Sequence, residues 1–470
     1  MARDGKAVGA STDSHGRISR RRVLETSGAA MITAGLAGCS TLLGNGSADS
    51  GITVVSYNSS SAAKDAWNSI AKTYEEETGN TVNMQYTGFT DVISTVSQMI
   101  RGGNPPDLVI ANMNVAGTLF AQDQLAPLTD IVDDLYEGET PEETFITGDD
   151  DEVYAPVYST TLHGLDVRRD LVKQAGGTMP DDWVNHDMGL SDFAQWGQQI
   201  KDQTGKSLWA YSSAASGRGA MQGMNLLFMN GVHIYSGTRG NYEVVLDKGE
   251  NKRRAAELLS YFKNDLKPVS EGSPNYSWTD MQELYVNGKA ATVNYGVGRM
   301  LALLDNRGKT EQFNNTIPIN QPHDNLRDDG GLIQQDHGTE MLLSASQNKD
   351  AAKEWIKTFH NSDGYIDFLH TTPFYKNPPT PEGMRNEAWR DNPIIQQRSE
   401  IIDFHIGLIE EGYAHPHAVA MGDGGVNIPH LQAYQAGEYG KMMQYVTVEG
   451  QSPEEAVSNT ADALREYVSE

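Results

Sequence analysis

The fold is decided by residues 52–111, which read ITVVSYNSSSAAKDAWNSIAKTYEEETGNTVNMQYTGFTDVISTVSQMIRGGNPPDLVIA. The run begins with a short apolar segment at 52–57, consistent with a buried strand, and continues with apolar residues at helical spacing from Ala63 to Tyr74. An alternating strand at 82–86, a second helical stripe and the apolar strand at 107–111 complete it. Strand–helix alternation of this kind predicts an open, mostly parallel sheet of the α/β class.

The C-terminal end of the chain carries a clear helix start. Ser452-Pro453-Glu454-Glu455 has a Ser to cap the helix, Pro at the first helical position and Glu at the third. Val457, Ala461, Leu464 and Val468 follow at helical spacing. The pattern predicts a final amphipathic helix.

Charge and composition limit the classes of partner. The 470 residues suffice for two or three domains, and a hydrophobic content of 38% supports a large core. The formal net charge of −27 argues against nucleic acid as a partner, since phosphate contacts need clustered Lys and Arg. The acidic residues are spread along the chain, which is typical of a halophile's protein, where salt screens the self-repulsion.

The N-terminus has the features of an export signal. The segment S-R-R-R-V-L-E at 19–25 resembles the twin-arginine export motif, with Arg20 and Arg21 as the pair. The mildly apolar stretch that follows, at 26–38, is too short to cross a bilayer of about 30 Å as a helix. We therefore interpret residues 1–38 as a signal peptide.

The signal ends in Leu36-Ala37-Gly38-Cys39, which resembles the lipobox of bacterial lipoproteins. Cys39 is the only cysteine, so an intrachain disulfide is excluded and lipidation accounts for the thiol. The resemblance implies cleavage before Cys39. Residues 39–51, rich in Gly, Ser and Asn, then form a flexible tether.

The rest of the chain resembles the family 1 extracellular solute-binding proteins, which include the maltose-binding proteins. The resemblance covers most of residues 52–468 and rests on short motifs in the family's order. They are Y-E-E-E-T-G at 74–79, G-N-P-P-D-L-V at 103–109, L-A-P-L-T-D at 125–130, Y-A-P-V at 154–157 and N-G-K-A-A at 287–291. The segment V-R-R-D-L at 167–171 departs from the family's Y-N-K-D-L in its first three residues.

This resemblance implies a two-lobed periplasmic-binding-protein-like fold of type II, in which three segments cross between two α/β lobes. By analogy the crossings lie near 157–161, 294–297 and 343–345. Lobe 1 then comprises 52–157 and 297–344, and lobe 2 comprises 158–296 and 345–470.

A sugar presents hydroxyl groups and apolar C–H faces, so its cleft needs aromatic rings beside Asn, Asp, Gln or Arg side chains. In open α/β sheets such groups lie beyond the carboxyl ends of strands. The predicted strand ends of lobe 1 supply Tyr57, Asn58, Tyr86 and Asn112. The alternative role is turn chemistry or helix capping for Asn58 and Asn112, and a place in the core for Tyr86.

Further candidates come from positions relative to the implied cleft. Tyr211 lies where the family often has a strand end at the cleft, and Tyr295 and Arg299 flank the second crossing. The set is completed by Trp278, by Asp336 near the third crossing, and by Asn427 after the glycine-rich loop at 422–425.

The resemblance implies the extracellular receptor of an ABC importer, which binds a mono- or oligosaccharide and delivers it to permease subunits in the membrane. We expect a lipid-anchored monomer without a cofactor. A polyol or glycerol phosphate is the alternative ligand, with Arg218 and Arg299 as phosphate partners.

Two other classes of function compete with a receptor. A carbohydrate-active enzyme is disfavoured because no G-x-S-x-G elbow or other catalytic motif is present. A metal-binding receptor would use the C-terminal histidines His405, His415, His417 and His430, but no H-E-x-x-H motif or cysteine pair accompanies them. We predict no catalytic residue and no metal site.

Overall fold

The computed structural model describes residues 51–89, 91–136, 145–148, 150–179, 188–238, 240–324, 333–416 and 426–468. Arg20, Arg21, Cys39, the signal peptide at 1–38 and the tether up to residue 50 lie outside the described residues, as does the loop at 422–425. Within the described ranges, every helix is too short or too polar to span a membrane.

Strands and helices alternate along the described chain. The strands are β1 (Ile52–Ser56), β2 (Val82–Tyr86), β3 (Leu108–Asn112), β4 (Leu125–Ala126), β5 (Ile146–Thr147), β6 (Val153–Ala155), β7 (Val157–His163), β8 (Leu165–Arg168), β9 (Ser207–Ser212), β10 (Tyr235–Ser236), β11 (Glu243–Val244), β12 (Glu271–Ser273), β13 (Ala290–Asn294), β14 (Thr316–Ile319), β15 (Ile333–Leu343) and β16 (Ala414–Pro416).

The helices are α1 (Ser61–Thr78), α2 (Val92–Arg101), α3 (Met113–Ala121), α4 (Arg169–Gln174), α5 (Leu190–Thr204), α6 (Gly217–Phe228), α7 (Gly249–Tyr261), α8 (Trp278–Val286), α9 (Arg299–Asn306), α10 (Thr310–Asn315), α11 (Lys349–Asn361), α12 (Asp363–His370), α13 (Pro381–Arg385), α14 (Glu387–Arg390), α15 (Pro393–Gln397), α16 (Ser399–Glu410), α17 (Ile428–Gln435), α18 (Glu438–Thr447) and α19 (Pro453–Val468).

Two large sheets organise these elements into two lobes. The first has the order β16-β15-β3-β1-β2, and β15 also pairs with β4 and β7. As predicted, β1 runs parallel to β2 and β3, whereas β15 runs antiparallel to β3 and β7. The second sheet has the order β12-β9-β13-β8-β14. The predicted two-lobed α/β fold is confirmed.

The local sequence explains why these segments form where they do. All residues of β3 are buried, as expected of a strand covered on both faces. Ser60 caps α1 by accepting the N–H of Ala63 at 3.2 Å, and the helix buries Trp67 against Phe368 with ring centroids 4.3 Å apart. The predicted capping box before α19 is present, with reciprocal backbone–side-chain bonds of 3.2 Å.

The chain changes sheets at places other than the predicted crossings. Residues 157–161 lie within β7, which stays paired with β15, and the change comes between β7 and β8. At 294–297 the N–H of Val297 donates to the Leu162 carbonyl at 2.7 Å, yet β14 returns to the second sheet. After 343–345 the chain enters α11, which packs on α1 of the first lobe.

The predicted lobe boundaries are therefore wrong in two places. Strand β14 was assigned to lobe 1 but pairs with β8 in the second sheet. Helices α11 and α12 were assigned to lobe 2 but pack on α1. Helices α18 and α19 do pack on α6 and α7 of the second lobe. Membership of a lobe depends on partners distant in sequence, which local patterns do not report.

Candidate functional site

A cleft with an empty volume of about 1200 Å³ lies between elements of the two lobes. Its lining comes from the turn after β1, the end of β3, the β7–β15 ladder, α6, α17, the N-terminal ends of α8 and α9, and a turn that follows α12. Strand ends and helix N-termini thus converge on one space, as is usual for ligand sites in α/β folds.

The floor of the cleft is the ladder between β7 and β15. Ser159, Thr161 and His163 alternate along β7 and all line the cleft, because every second residue of a strand faces the same side. Opposite them, Asp336 pairs with Thr161, and Gly338 pairs with Ser159. These β7 residues were not among the predicted ligand-binding residues, because 157–161 was interpreted as a crossing segment. The alternating polar residues at 159, 161 and 163 were the available signal.

Gly338 has a steric reason to be glycine. A Cβ atom there would lie 2.5 Å from Cζ of Tyr158 and 2.7 Å from Oγ of Ser159. Both distances are shorter than van der Waals contact, so a side chain would push the two strands of the floor apart.

His163 joins the floor to the second lobe. Its Nδ1 lies 2.9 Å from the carbonyl oxygen of Tyr295. A carbonyl can only accept, so Nδ1 carries the proton, and Nε2 faces the Asp336 carboxylate at 3.9 Å. Asp336 also accepts the N–H of His337 at 2.8 Å. The floor therefore presents a carboxylate and an imidazole side by side.

Aromatic rings line the cleft from both sides. Tyr57 and Phe89, which follow β1 and β2, meet edge to face with centroids 5.6 Å apart. Across the cleft, Tyr295 contacts Trp278 edge to face at 4.6 Å and stacks on Tyr375 at 5.3 Å. The sequence analysis missed Tyr375, and also Tyr434, which lines the cleft from α17. Neither residue follows a strand, so neither could be selected by its position at the end of a predicted strand.

Two glycines and a threonine hold Tyr375 in place. A Cβ atom on Gly296 would lie 2.5 Å from Cδ2 of Tyr375, and one on Gly298 would lie 2.8 Å from Cβ of Phe374. The hydroxyl of Thr161 donates to the carbonyl of Tyr375. Phe374 has a φ of 65°, a conformation that L side chains rarely adopt. The turn that contains Phe374 and Tyr375 therefore packs closely against the segment that carries Tyr295.

Two basic side chains also line the cleft. Arg299 begins α9, and its guanidinium lies 5.7 Å from the ring centroid of Tyr375. Lys376 is only 7% exposed, donates to Oγ1 of Thr371 at 3.1 Å and lies 4.0 Å from the ring centroid of Phe368. Burial, with a smaller contribution from Arg299, lowers the pKa of Lys376 to about 7.

Two tyrosines of the cleft, Tyr57 and Tyr375, remain neutral donors. Burial raises the pKa of Tyr57 and of Tyr375 well above the ordinary value for tyrosine. Each phenol therefore keeps its proton at neutral pH and can donate a hydrogen bond. Asn58, beside Tyr57, donates to the Tyr158 hydroxyl at 3.2 Å.

The structure brings seven of the ten predicted ligand-binding residues to the cleft. They are Tyr57, Asn58, Asn112, Trp278, Tyr295, Arg299 and Asp336. Asn112 also fulfils its alternative role, since its side chain caps α3 by accepting the N–H of Val115 at 3.3 Å.

The other three predicted residues lie elsewhere. Tyr86 packs at the edge of the first lobe, with the ammonium of Lys64 5.1 Å from its ring centroid. Tyr211 is 3% exposed in the core of the second lobe, 5.0 Å from Phe262. Asn427 is fully buried and caps α17 by accepting the N–H of His430 at 2.9 Å. Packing holds the side chains of Tyr86 and Tyr211 away from the cleft, and helix capping holds that of Asn427.

The C-terminal histidines do not come together in the part of the chain that the structure describes. His405 is buried within α16, whereas Nδ1 of His430 on α17 lies 2.7 Å from the Tyr439 hydroxyl. The side chain of His415 and all of His417 lie outside the described residues. Among the described residues, no three His, Cys, Asp or Glu side chains group as metal ligands.

Known structures share this fold. The GacH receptor of Streptomyces glaucescens, solved unliganded and in complex with acarbose, aligns with a TM-score of 0.69 at 17% identity, covering 89% of this chain and 99% of that one. An ABC transporter solute-binding protein from Thermotoga lettingae, bound with α-D-tagatose, gives 0.68 at 16% identity, with 89% and 99% covered. A maltose-bound protein of T. maritima gives 0.68 at 15% identity, with 88% and 99% covered.

At these identities the likeness shows the fold alone. No curated protein matches the chain in sequence. A family model described as bacterial extracellular solute-binding protein matches residues 69–397, which is most of the chain, and the description implies a site of action outside the cytoplasm. The chain belongs to the family of bacterial extracellular solute-binding proteins.

Proposed function

We propose that the chain is the sugar receptor of an ABC importer. It binds a mono- or oligosaccharide in the cleft and delivers it to permease subunits in the membrane. The observation that carries this proposal is the cleft itself, which combines aromatic rings on opposite walls with a polar floor. A sugar ring offers an apolar face to such rings and hydroxyl groups to such a floor.

The polar groups of the floor suit a polyhydroxylated ligand. The carboxylate of Asp336 accepts from a hydroxyl, the phenol of Tyr57 donates, and the hydroxyl of Ser159 does either. The hydroxyl of Thr161 accepts, because its own proton goes to the carbonyl of Tyr375. Charged acceptors form the stronger hydrogen bonds, so Asp336 is the polar group that we expect to contribute most.

Binding in this cleft would couple to movement of the lobes. A ligand that touches Tyr57 on one side and Tyr295 on the other makes its full set of contacts only when both walls are close. It would therefore shift the population towards a closed form that the permease recognises. The connection between β7 and β8, next to His163, is one of the segments that must bend.

Export and anchoring complete the proposal. Arg20 and Arg21 direct twin-arginine export, and lipidation of Cys39 holds the receptor on the outer face of the cell membrane. Two measurements test this: the mass of the mature N-terminus, and the membrane fraction of the native chain against Cys39→Ser. An unlipidated Cys39, or equal membrane fractions, would contradict the anchor but not the cleft.

The test of ligand binding is a thermal-melt screen of the purified protein in molar salt. The panel contains monosaccharides, oligosaccharides, polyols, glycerol phosphates and divalent metals. A ligand at about 100 times its Kd adds roughly 2.7 kcal/mol of stability to the native state. Stabilisation by one sugar class, with the sugar recovered unchanged, supports a receptor. Conversion of the sugar would indicate an enzyme, and a response to metals alone would refute the sugar ligand.

A further inference from the structure

We propose that the ligand is an acidic sugar, whose carboxylate or phosphate group binds to Arg299 and Lys376 while the rings and Asp336 hold its uncharged part. This inference rests on the proposed function, because it names the class of sugar that the same cleft takes. It assigns a role to Lys376, which the sequence analysis did not select.

The first observation that supports an anionic ligand is the environment of Lys376. A lysine is rarely this buried unless an anion pairs with it, because removing an ammonium group from water is costly. Its contacts are the hydroxyl of Thr371 and the ring of Phe368, and neither is charged. Among the described residues, no carboxylate forms an ion pair with Lys376. Buried against neutral groups on one side, the lysine lines the cleft on the other.

The second observation is the environment of Arg299. Its Nε is buried and has no hydrogen-bond partner among the described residues, and its guanidinium lies over the ring of Tyr375. No carboxylate of the described chain forms an ion pair with it either. Guanidinium groups bind carboxylate and phosphate through paired N–H donors, so a ligand anion would satisfy Arg299.

The two cations lie close enough to act on the same group. Both side chains line the same cleft, and the guanidinium of Arg299 lies 5.7 Å from the ring centroid of Tyr375, the residue that precedes Lys376. The positive charge of Arg299 also contributes to the lowered pKa of Lys376. The chain has 63 Asp and Glu against 36 Lys and Arg, yet neither of these two cations forms an ion pair with a carboxylate of the described residues. Repulsion between the two positive charges raises the free energy of the ligand-free protein. A bound anion would offset that repulsion.

The remaining titratable groups of the cleft do not replace such an anion. The titratable side chains that line it besides Arg299 and Lys376, among the described residues, are Asp336, His163, His337, Tyr57, Tyr295, Tyr375 and Tyr434. Asp336 is the one carboxylate of this set, and one of its oxygens lies 3.9 Å from Nε2 of His163. Burial keeps Tyr57 and Tyr375 neutral. Two basic side chains thus face one carboxylate among the described residues that line the cleft.

The first experiment compares matched sugars on the purified protein in molar salt. The pairs are glucose with glucuronate and galactose with galacturonate, and glucose 6-phosphate and glycerol 3-phosphate form a phosphate arm. Tighter binding of the uronates supports a carboxylate ligand, and tighter binding of the phosphates supports a phosphate ligand. If neutral sugars bind equally or more tightly, the inference is wrong and the proposed function stands. If no sugar binds, both are wrong.

The second experiment measures protons and needs no variant. An anion beside Lys376 stabilises the ammonium form, so binding of a uronate at pH 8 should take up a proton. Calorimetry in two phosphate-free buffers with different enthalpies of ionisation reports this as a difference in apparent enthalpy. A uronate suits the test because its own carboxylate does not titrate there. Binding without proton uptake would overturn the assignment of Lys376.

Variants then separate charge from packing. Lys376→Met and Arg299→Gln should each weaken uronate binding roughly 10- to 100-fold, as expected for a lost charge-assisted hydrogen bond. Binding of the matched neutral sugar should fall by a smaller factor than binding of the uronate. Lys289→Met is the control, because Lys289 is exposed and outside the cleft. An equal loss for acidic and neutral sugars in Arg299→Gln would contradict the proposal, even if Lys376→Met fails to fold.

Discussion

The ring of Tyr295 stacks on the ring of Tyr375, with centroids 5.3 Å apart and planes inclined by 17°. The two residues come from distant parts of the chain, one directly after β13 and the other in the turn after α12. The stack places an aromatic surface on the wall of the cleft opposite Tyr57, and Arg299 lies over the ring of Tyr375.

Removing this surface should weaken sugar binding. Tyr295→Ala deletes one ring of the stack together with its contact to Trp278, so we expect a loss of about 1 kcal/mol or more of binding free energy, roughly five- to tenfold in affinity. Tyr86→Ala makes the same change outside the cleft and should leave affinity unaltered. Isothermal titration with the sugar that stabilises the native protein measures both. Equal effects of the two substitutions would disprove the role of Tyr295.

The carboxylate of Asp336 should contribute more than a neutral acceptor. Asp336→Asn keeps the shape of the side chain but removes its charge, and we expect affinity to fall roughly 10- to 100-fold, as for other hydrogen bonds to charged groups. The exposed Asp305 on α9 provides the matched control, Asp305→Asn. Wild-type affinity in Asp336→Asn would show that the ligand does not use this carboxylate.

Gly296 should tolerate no side chain. In Gly296→Ala the new Cβ would lie 2.5 Å from the Tyr375 ring and 2.8 Å from Cγ2 of Thr161, so the turn after α12 must shift. We expect a loss of about 1–3 kcal/mol in the free energy of unfolding, together with weaker ligand binding. Gly407→Ala is the comparison, since no atom outside the neighbouring backbone of its own helix lies within 4 Å of its Cβ position.

The comparison variant, Gly407→Ala, should instead increase the free energy of unfolding. Gly407 lies within α16, where replacement of glycine by alanine stabilises a helix by about 0.5–1 kcal/mol. Chemical denaturation measures both changes. A Gly296→Ala variant as stable as the wild type, with unchanged affinity, would refute the close packing of this turn.

His405 should make the protein sensitive to acid. Burial lowers its pKa to about 3, whereas the unfolded chain has a value near 6.5. Between these values the unfolded state binds a proton that the native state does not, so stability falls as pH decreases below about 6.5. The slope is about 1.4 kcal/mol per pH unit. His405→Leu removes this dependence and should raise stability at pH 5 more than at pH 8.

The exposed His233 supplies the control for this pH effect. His233→Leu should leave the dependence of unfolding on pH unchanged between about 5 and about 8. If His405→Leu gives the same pH profile as the wild type, the ring of His405 is not buried as a neutral group.

Folding should depend on salt. A formal net charge of −27 makes the compact state repel itself, and salt shortens the range of that repulsion from about 10 Å at 0.1 M to about 3 Å at 1 M. The midpoint of thermal unfolding should therefore rise steadily with sodium chloride up to molar concentration. Cooperative unfolding with the same midpoint in low salt would contradict adaptation to concentrated salt.

Strand ends were the most informative part of the sequence. Tyr57, Asn58 and Asn112 could be selected because they follow parallel strands, and parallel neighbours end at the same edge of a sheet. The same criterion failed for Tyr86, since β2 lies at the edge of the sheet and its last residue packs beneath Lys64. It also failed for Tyr211, which the neighbouring strand and Phe262 enclose.

The sequence by itself determined the α/β class, the capped helix α19 and the resemblance to extracellular solute-binding proteins. These depend on periodicity, caps and short motifs, which are local properties of the chain. Only the tertiary structure decided which sheet β14 joins, where the chain crosses between lobes, and that Tyr375 and Lys376 reach the cleft. Such features depend on contacts between segments far apart in sequence. The free energy of those contacts is set by the partner surfaces, which local patterns do not encode.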